Sequence, residues 1–170
     1  MKPVRIAMIG VGAISGIYLK NLTHTFKEVE LIGVCDLIPE RAETGAAYVR
    51  DAIANGAKAV EPKIYKDMYE AFNDPDVEVV LNLTRPYEHY EVTKQALLHG
   101  KHVYSEKPLA VDMDEADELV ELAEEKGAQV KIAKWPLILT SIVFPFLFTN
   151  VISLAILQQG MNRIYACQEQ

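Results

Sequence analysis

Short apolar runs recur along the first 133 positions, each closed by glycine, aspartate or proline and most followed by a segment of helical periodicity. The first run, residues 4–9, stops at Gly10-Val11-Gly12-Ala13-Ile14-Ser15-Gly16, and an amphipathic stretch over 17–26 follows at once. The pattern predicts strand, tight turn, helix. A second strand over 29–35 ends at Asp36, and Pro39 opens a helix carrying 41–54 with Gly56 as its stop. Around Ile64 the patterning is weak and predicts only a short strand, followed by a short helix over 66–72. A fourth strand, 77–83, runs into Thr84-Arg85-Pro86, and a helix over 87–98 ends at Gly100. The fifth strand, 102–104, leads into Ser105-Glu106-Lys107-Pro108. Residues 112–126 predict an acidic helix with Leu119, Val120, Leu122 and Ala123 on its apolar side, and 128–133 a sixth strand.

Strands alternating with helices predict an α/β fold, a doubly wound parallel sheet of Rossmann type. Right-handed crossovers bring every strand's carboxyl end to one edge. Gly10, Asp36, Thr84-Arg85-Pro86 and Glu106-Lys107-Pro108 therefore converge on one crevice. Ligands bind at that edge in such sheets.

The chemistry of those residues suits a dinucleotide. Gly10 permits a sharp turn, and Gly12 lets phosphates approach without a Cβ in the way. Ser15 stands where a third glycine is usual, so the motif reads G-x-G-x-x-S. Asp36, 24 residues after Gly12, is placed to accept ribose hydroxyls, or else caps a turn. Leu37 follows it where a base would suit a 2′-phosphate, which favours NAD over NADP. Lys107 is either a general acid–base in an enclosed crevice or a solvated turn lysine. His89 is either a contact to the nicotinamide side or a simple helix-start histidine. His24, His99 and His102 have no spacing for a metal or a nucleophile relay, so no metal is expected.

Composition narrows the partners and exposes a boundary. The net charge of the 170 residues is −7, which disfavours nucleic acid as a partner. Cys35 and Cys167 form neither a disulfide framework nor a metal motif, consistent with a reducing, cytoplasmic setting. Lys2 and Arg5 before the apolar run imitate a signal peptide, but glycines in mid-run argue against one. From 135 to 162 no residue is charged, and Arg163 and Glu169 cancel, so the whole net charge lies on residues 1–134. Two parts are expected, a dinucleotide-binding domain over 1–134 and an apolar tail over 135–170.

The first ~133 residues resemble the nucleotide-binding domain of the Gfo/Idh/MocA family, which includes glucose–fructose oxidoreductase and inositol dehydrogenase. The resemblance rests on Gly10-Val11-Gly12-Ala13-Ile14, Val34-Cys35-Asp36, Asn82-Leu83-Thr84 with Pro86 and His89, and above all the block from Ala96 to Ala110 with Glu106-Lys107-Pro108. It implies NAD(P)-dependent oxidation of a secondary hydroxyl on a sugar or cyclitol, with Lys107 assisting proton transfer at the substrate oxygen. It further implies cofactor contacts from Gly10, Gly12, Ala13, Ile14, Asp36, Thr84, Arg85, Pro86, His89, Glu106 and Lys107. Arg85 departs from the smaller or apolar residues usual at its position.

Family members continue into a larger α+β domain that supplies substrate contacts, and nothing over 135–170 matches it. Three readings of the tail stand. It is a membrane anchor, since 137–157 is 21 uncharged residues. It is a buried segment for self-association through 135–160. Or it is out of frame, because the codons of 134–139 shifted by two bases permit Ala-Pro-Asp-Thr, a run that family members carry where their second domain starts. As the chain stands, cofactor binding with little turnover is expected; the other reading is a non-catalytic NAD-sensing module.

Overall fold

The structure, a computed structural model, describes residues 2–133, and every expectation for 135–170 lies outside the described residues. Six strands form one parallel sheet: β1 (Val4–Ile9), β2 (Val29–Cys35), β3 (Lys63–Ile64), β4 (Val79–Asn82), β5 (His102–Ser105) and β6 (Val130–Ile132). Their order across the sheet is β3-β2-β1-β4-β5-β6, so the winding proceeds outward in opposite directions on the two sides of the β1–β4 junction. Five helices connect them: α1 (Ser15–His24), α2 (Pro39–Ala54), α3 (Met68–Asn73), α4 (His89–Leu98) and α5 (Met113–Glu125). This is the doubly wound α/β fold that the alternating pattern predicts.

Both faces of the central strand are covered, which is why β1 reads as continuous apolar sequence rather than alternation. Ala7 and Ile9 share a buried cluster with Phe72 of α3, Leu97 of α4 and Leu119 of α5. Met8, fully buried, points the other way by strand alternation. Glycine makes one approach in this sheet feasible: at Gly33 in β2, a Cβ would lie 2.1 Å from the ring of Tyr65.

Register sets the functional edge. Ile9 pairs with Cys35 on one side and with Asn82 on the other, and Asn82 pairs with Ser105. Four strands thus end level. The ladder continues one step further, where Gly10, Leu83 and Glu106 donate their N–H groups to the carbonyls of Cys35, Ile9 and Asn82 at 2.8, 2.8 and 2.9 Å.

Some predicted boundaries shift. The helix expected over 17–26 begins at Ser15, because the Ser15 hydroxyl and N–H both donate to the Gly12 carbonyl, at 2.7 and 3.1 Å. The helix expected from 87 is preceded by a 3₁₀ turn, Pro86–Glu88, with α4 starting at His89. The Glu88 carboxylate reaches back to the Arg85 N–H at 3.2 Å and holds that tighter turn. On α5, Val120 is half exposed while Leu119 and Ala123 are buried, with Ala116 and Leu122 packed beside them. One residue is a 100° step around a helix, and that step carries Val120 off the buried stripe. Among the described residues no helix is long and apolar enough to cross a membrane.

Candidate functional site

The glycine turn is built by backbone approach. Gly10 has φ +94°, and a Cβ on it would sit 2.8 Å from the carbonyl carbon and oxygen of Leu83 and 2.9 Å from the Thr84 nitrogen. The end of β4 therefore lies directly on this residue. Gly12 differs: a Cβ there would meet nothing within 4 Å. The space beyond Gly12 is open, so backbone is exposed there with no side chain over it. Ala13 and Ile14 are exposed at the mouth of α1, and Ile14, its N-cap, offers no side-chain cap to the first-turn N–H groups. Unsatisfied N–H groups at a helix start bind anions such as phosphate. Val11 points inward against Gly45 of α2, where a Cβ would stand 2.9 Å from Val11 Cγ1.

Asp36 fixes this turn from the side. One carboxylate oxygen accepts from the Val11 N–H at 2.7 Å and the other from the Ile38 N–H at 2.8 Å. Each oxygen of an ionised carboxylate has two acceptor sites, so each keeps one. The turn role and a ribose role are thus compatible in one side chain. Leu37 is 86% exposed at the same edge. Cys35, just before, is buried, and burial, assisted by the charges of Asp67, Asp36 and Glu70, pushes its thiol up to about 11. It is an inert packing group.

Asn82, absent from the sequence-predicted site, organises the β4 loop. Its amide donates to the His89 carbonyl and the Thr93 hydroxyl, both at 3.1 Å. Its Oδ1 accepts from the Thr84 hydroxyl at 2.6 Å and the Thr84 N–H at 3.2 Å. Polar asparagine at the end of an apolar strand was the signal available in the sequence. Arg85 and Pro86 follow, both exposed on the loop. His89 is buried, with Nδ1 2.6 Å from the Pro108 carbonyl and Nε2 3.0 Å from the Thr84 carbonyl. It thereby bridges the loops that follow β4 and β5.

On the β5 loop the enclosed group is Glu106, and Lys107 is exposed. A short carboxylate taken out of water needs donors. Glu106 has them: the Tyr18 hydroxyl of α1 donates to Oε1 at 2.5 Å, and the Lys107 N–H donates to Oε2 at 3.2 Å. Burial, then the neighbouring Tyr104 and Glu106, raises the Tyr18 phenol far above its ordinary range, so it stays a donor. Tyr104 lies edge-on to Tyr18, with centroids 6.4 Å apart, and burial pushes it up to about 12. The Lys107–Pro108 peptide is cis.

The structure thus brings Gly10, Gly12, Ala13, Ile14, Asp36, Thr84, Arg85, Pro86, Glu106 and Lys107 to one edge, with His89 beneath it. Tyr18, Asn82 and Gly45 support them and stand outside the sequence-predicted site; for Tyr18, nothing local in the sequence marks a partner 88 positions away.

A parallel sheet in this order, opening at β1 and β4 over a glycine turn and a helix start, is a Rossmann nucleotide-binding domain. The chain belongs to the oxidoreductase family with an NAD-binding Rossmann fold, whose model matches residues 4–134. It is 32% identical over 127 residues to an inositol 2-dehydrogenase of Salmonella typhimurium, covering 75% of this chain and 35% of that protein. The chain therefore spans about a third of the length of the curated relatives it matches. Among solved structures it is similar to a scyllo-inositol dehydrogenase of Lactobacillus casei with bound NAD(H) and scyllo-inositol, with TM-score 0.66, 17% identity and coverage of 78% of this chain and 36% of that one. It is also similar to the WlbA dehydrogenase of Bordetella pertussis in complex with NADH and UDP-GlcNAcA, with TM-score 0.68, 19% identity and coverage of 78% and 35%.

Proposed function

We propose that residues 3–133 are the cofactor domain of a cytoplasmic dehydrogenase acting on a sugar or cyclitol, with NAD preferred over NADP. The observation that carries this reading is the level ending of β1, β2, β4 and β5, which sets Gly10, Asp36, Thr84 and Glu106 along one edge. The start of α1 and the open cradle at Gly12 hold the pyrophosphate. Asp36 uses its remaining acceptor sites on the adenosine ribose, and Leu37 offers nothing to a 2′-phosphate. The nicotinamide, when bound, supplies the hydride chemistry. Lys107 handles the proton of the substrate hydroxyl, and the neighbouring Glu106 holds its backbone in place.

The selectivity is directly testable. Calorimetric titration of the full chain should show tighter binding of NADH than of NADPH. Asp36→Ala should weaken NADH about tenfold, the scale of a hydrogen bond to a charged group, and erase the preference. Equal affinity of the unsubstituted chain for both cofactors would overturn the assignment of Asp36.

A further inference from the structure

We infer that Tyr18 is a positioning residue for Lys107, acting through the Glu106 carboxylate, so that the helix receiving the cofactor phosphates is tied to the turn that meets its nicotinamide end. This inference rests on the proposed cofactor site.

The geometry forms an unbroken line. α1 begins at Ser15, directly after the glycine turn, and Tyr18 stands one turn into it. Its hydroxyl crosses to Glu106 Oε1 at 2.5 Å, a link between positions 88 residues apart. Oε2 of the same carboxylate accepts from the N–H of Lys107, the peptide that carries the lysine side chain. Glu106 is only 8% exposed, so its orientation depends on the donors it finds in the protein. The Tyr104 ring, itself on β5, lies edge-on to Tyr18 and packs beside it. A hydrogen bond to a buried carboxyl group is directional. The carboxylate therefore takes its place from α1 and passes it to residue 107.

A tyrosine that merely packs the core would act on the whole domain alike. A positioning tyrosine would act on one end of the cofactor. ADP-ribose, which has the adenosine and both phosphates but no nicotinamide, separates the two. Full-length chain, Tyr18→Phe, Glu106→Gln and the double variant are titrated calorimetrically with ADP-ribose and with NADH. Tyr18→Phe keeps the ring and removes only the oxygen.

The expected result is ADP-ribose affinity within about twofold of the unsubstituted chain and NADH affinity reduced about five- to twentyfold, as for loss of a charge-assisted hydrogen bond. Glu106→Gln should do the same, and the double variant should be no weaker than Glu106→Gln alone, because the two act in series. Equal weakening of both ligands by Tyr18→Phe, no weakening of either, or additive losses in the double variant would overturn the inference. Should the unsubstituted chain bind neither ligand, the cofactor reading itself fails and this inference falls with it; binding of both by that chain with no split in the variants defeats the inference alone.

Discussion

Gly10→Ala should abolish saturable NADH binding and lower the unfolding free energy by about 2–5 kcal/mol, combining a left-handed backbone penalty with overpacking against fixed atoms. Two independent facts demand the glycine. Its φ of +94° is one that L side chains rarely adopt, and the added carbon would stand 2.8 Å from the Leu83 carbonyl. That obstacle is backbone in the β4 loop, so relief requires β1 and β4 to part at the point where the crevice opens. Gly12→Ala is the informative contrast, because its Cβ meets nothing in the protein. It should fold with unchanged stability and still lose cofactor affinity, the new methyl group entering the phosphate cradle. Urea unfolding followed by circular dichroism, beside NADH titration, reads both effects. A Gly10→Ala chain of ordinary stability would contradict the approach of β4 described above.

Asn82→Leu should cost about 2–4 kcal/mol, because a fully buried amide leaves several partners without a bond when it is removed. The leucine is close in size, so the loss reports polar contacts rather than a cavity. The Thr93 hydroxyl loses its donor, and the Thr84 hydroxyl and N–H lose their acceptor. The last two matter for function. With Thr84 released, the segment leading to Arg85 and Pro86 keeps the His89 contact to the Thr84 carbonyl and the Glu88 contact to the Arg85 N–H, but loses its anchor to the end of β4. NADH affinity should fall more than tenfold, even in the fraction that remains folded at low temperature. Stability within about 0.5 kcal/mol of the parent, the range of an ordinary surface change, would show that Asn82 does not carry the loop.

The inner strands were readable because both their faces are covered, so each stands out as an apolar run with polar punctuation, whereas the exposed edge strand β3 gave only a weak pattern. That punctuation marks the candidate site: Gly10, Asp36, Thr84 and Glu106 are where the runs stop, and parallel topology collects them at one edge. What resisted reading was pairing over long distance. Nothing near Tyr18 distinguishes a tyrosine aimed at Glu106 from one that packs a core, and only the adjacency of α1 to the β5 loop shows it. The same holds for His89, whose contacts to the Thr84 and Pro108 carbonyls no local pattern announces. For Asp36 the position at the end of β2 was legible, but the bonds its two oxygens accept from the Val11 and Ile38 N–H groups were not. Short turns such as Pro86–Glu88 escaped because a single reach-back by Glu88 decides them, below the resolution of periodicity.

The central claim is that this edge is a dinucleotide site, and NADH titration of the full-length chain, followed by nicotinamide fluorescence, tests it most directly. The expected result is a saturable signal with one NADH per chain, displaced by ADP-ribose. No saturation up to about 1 mM cofactor, equivalent to less than about 4 kcal/mol of binding, would contradict it.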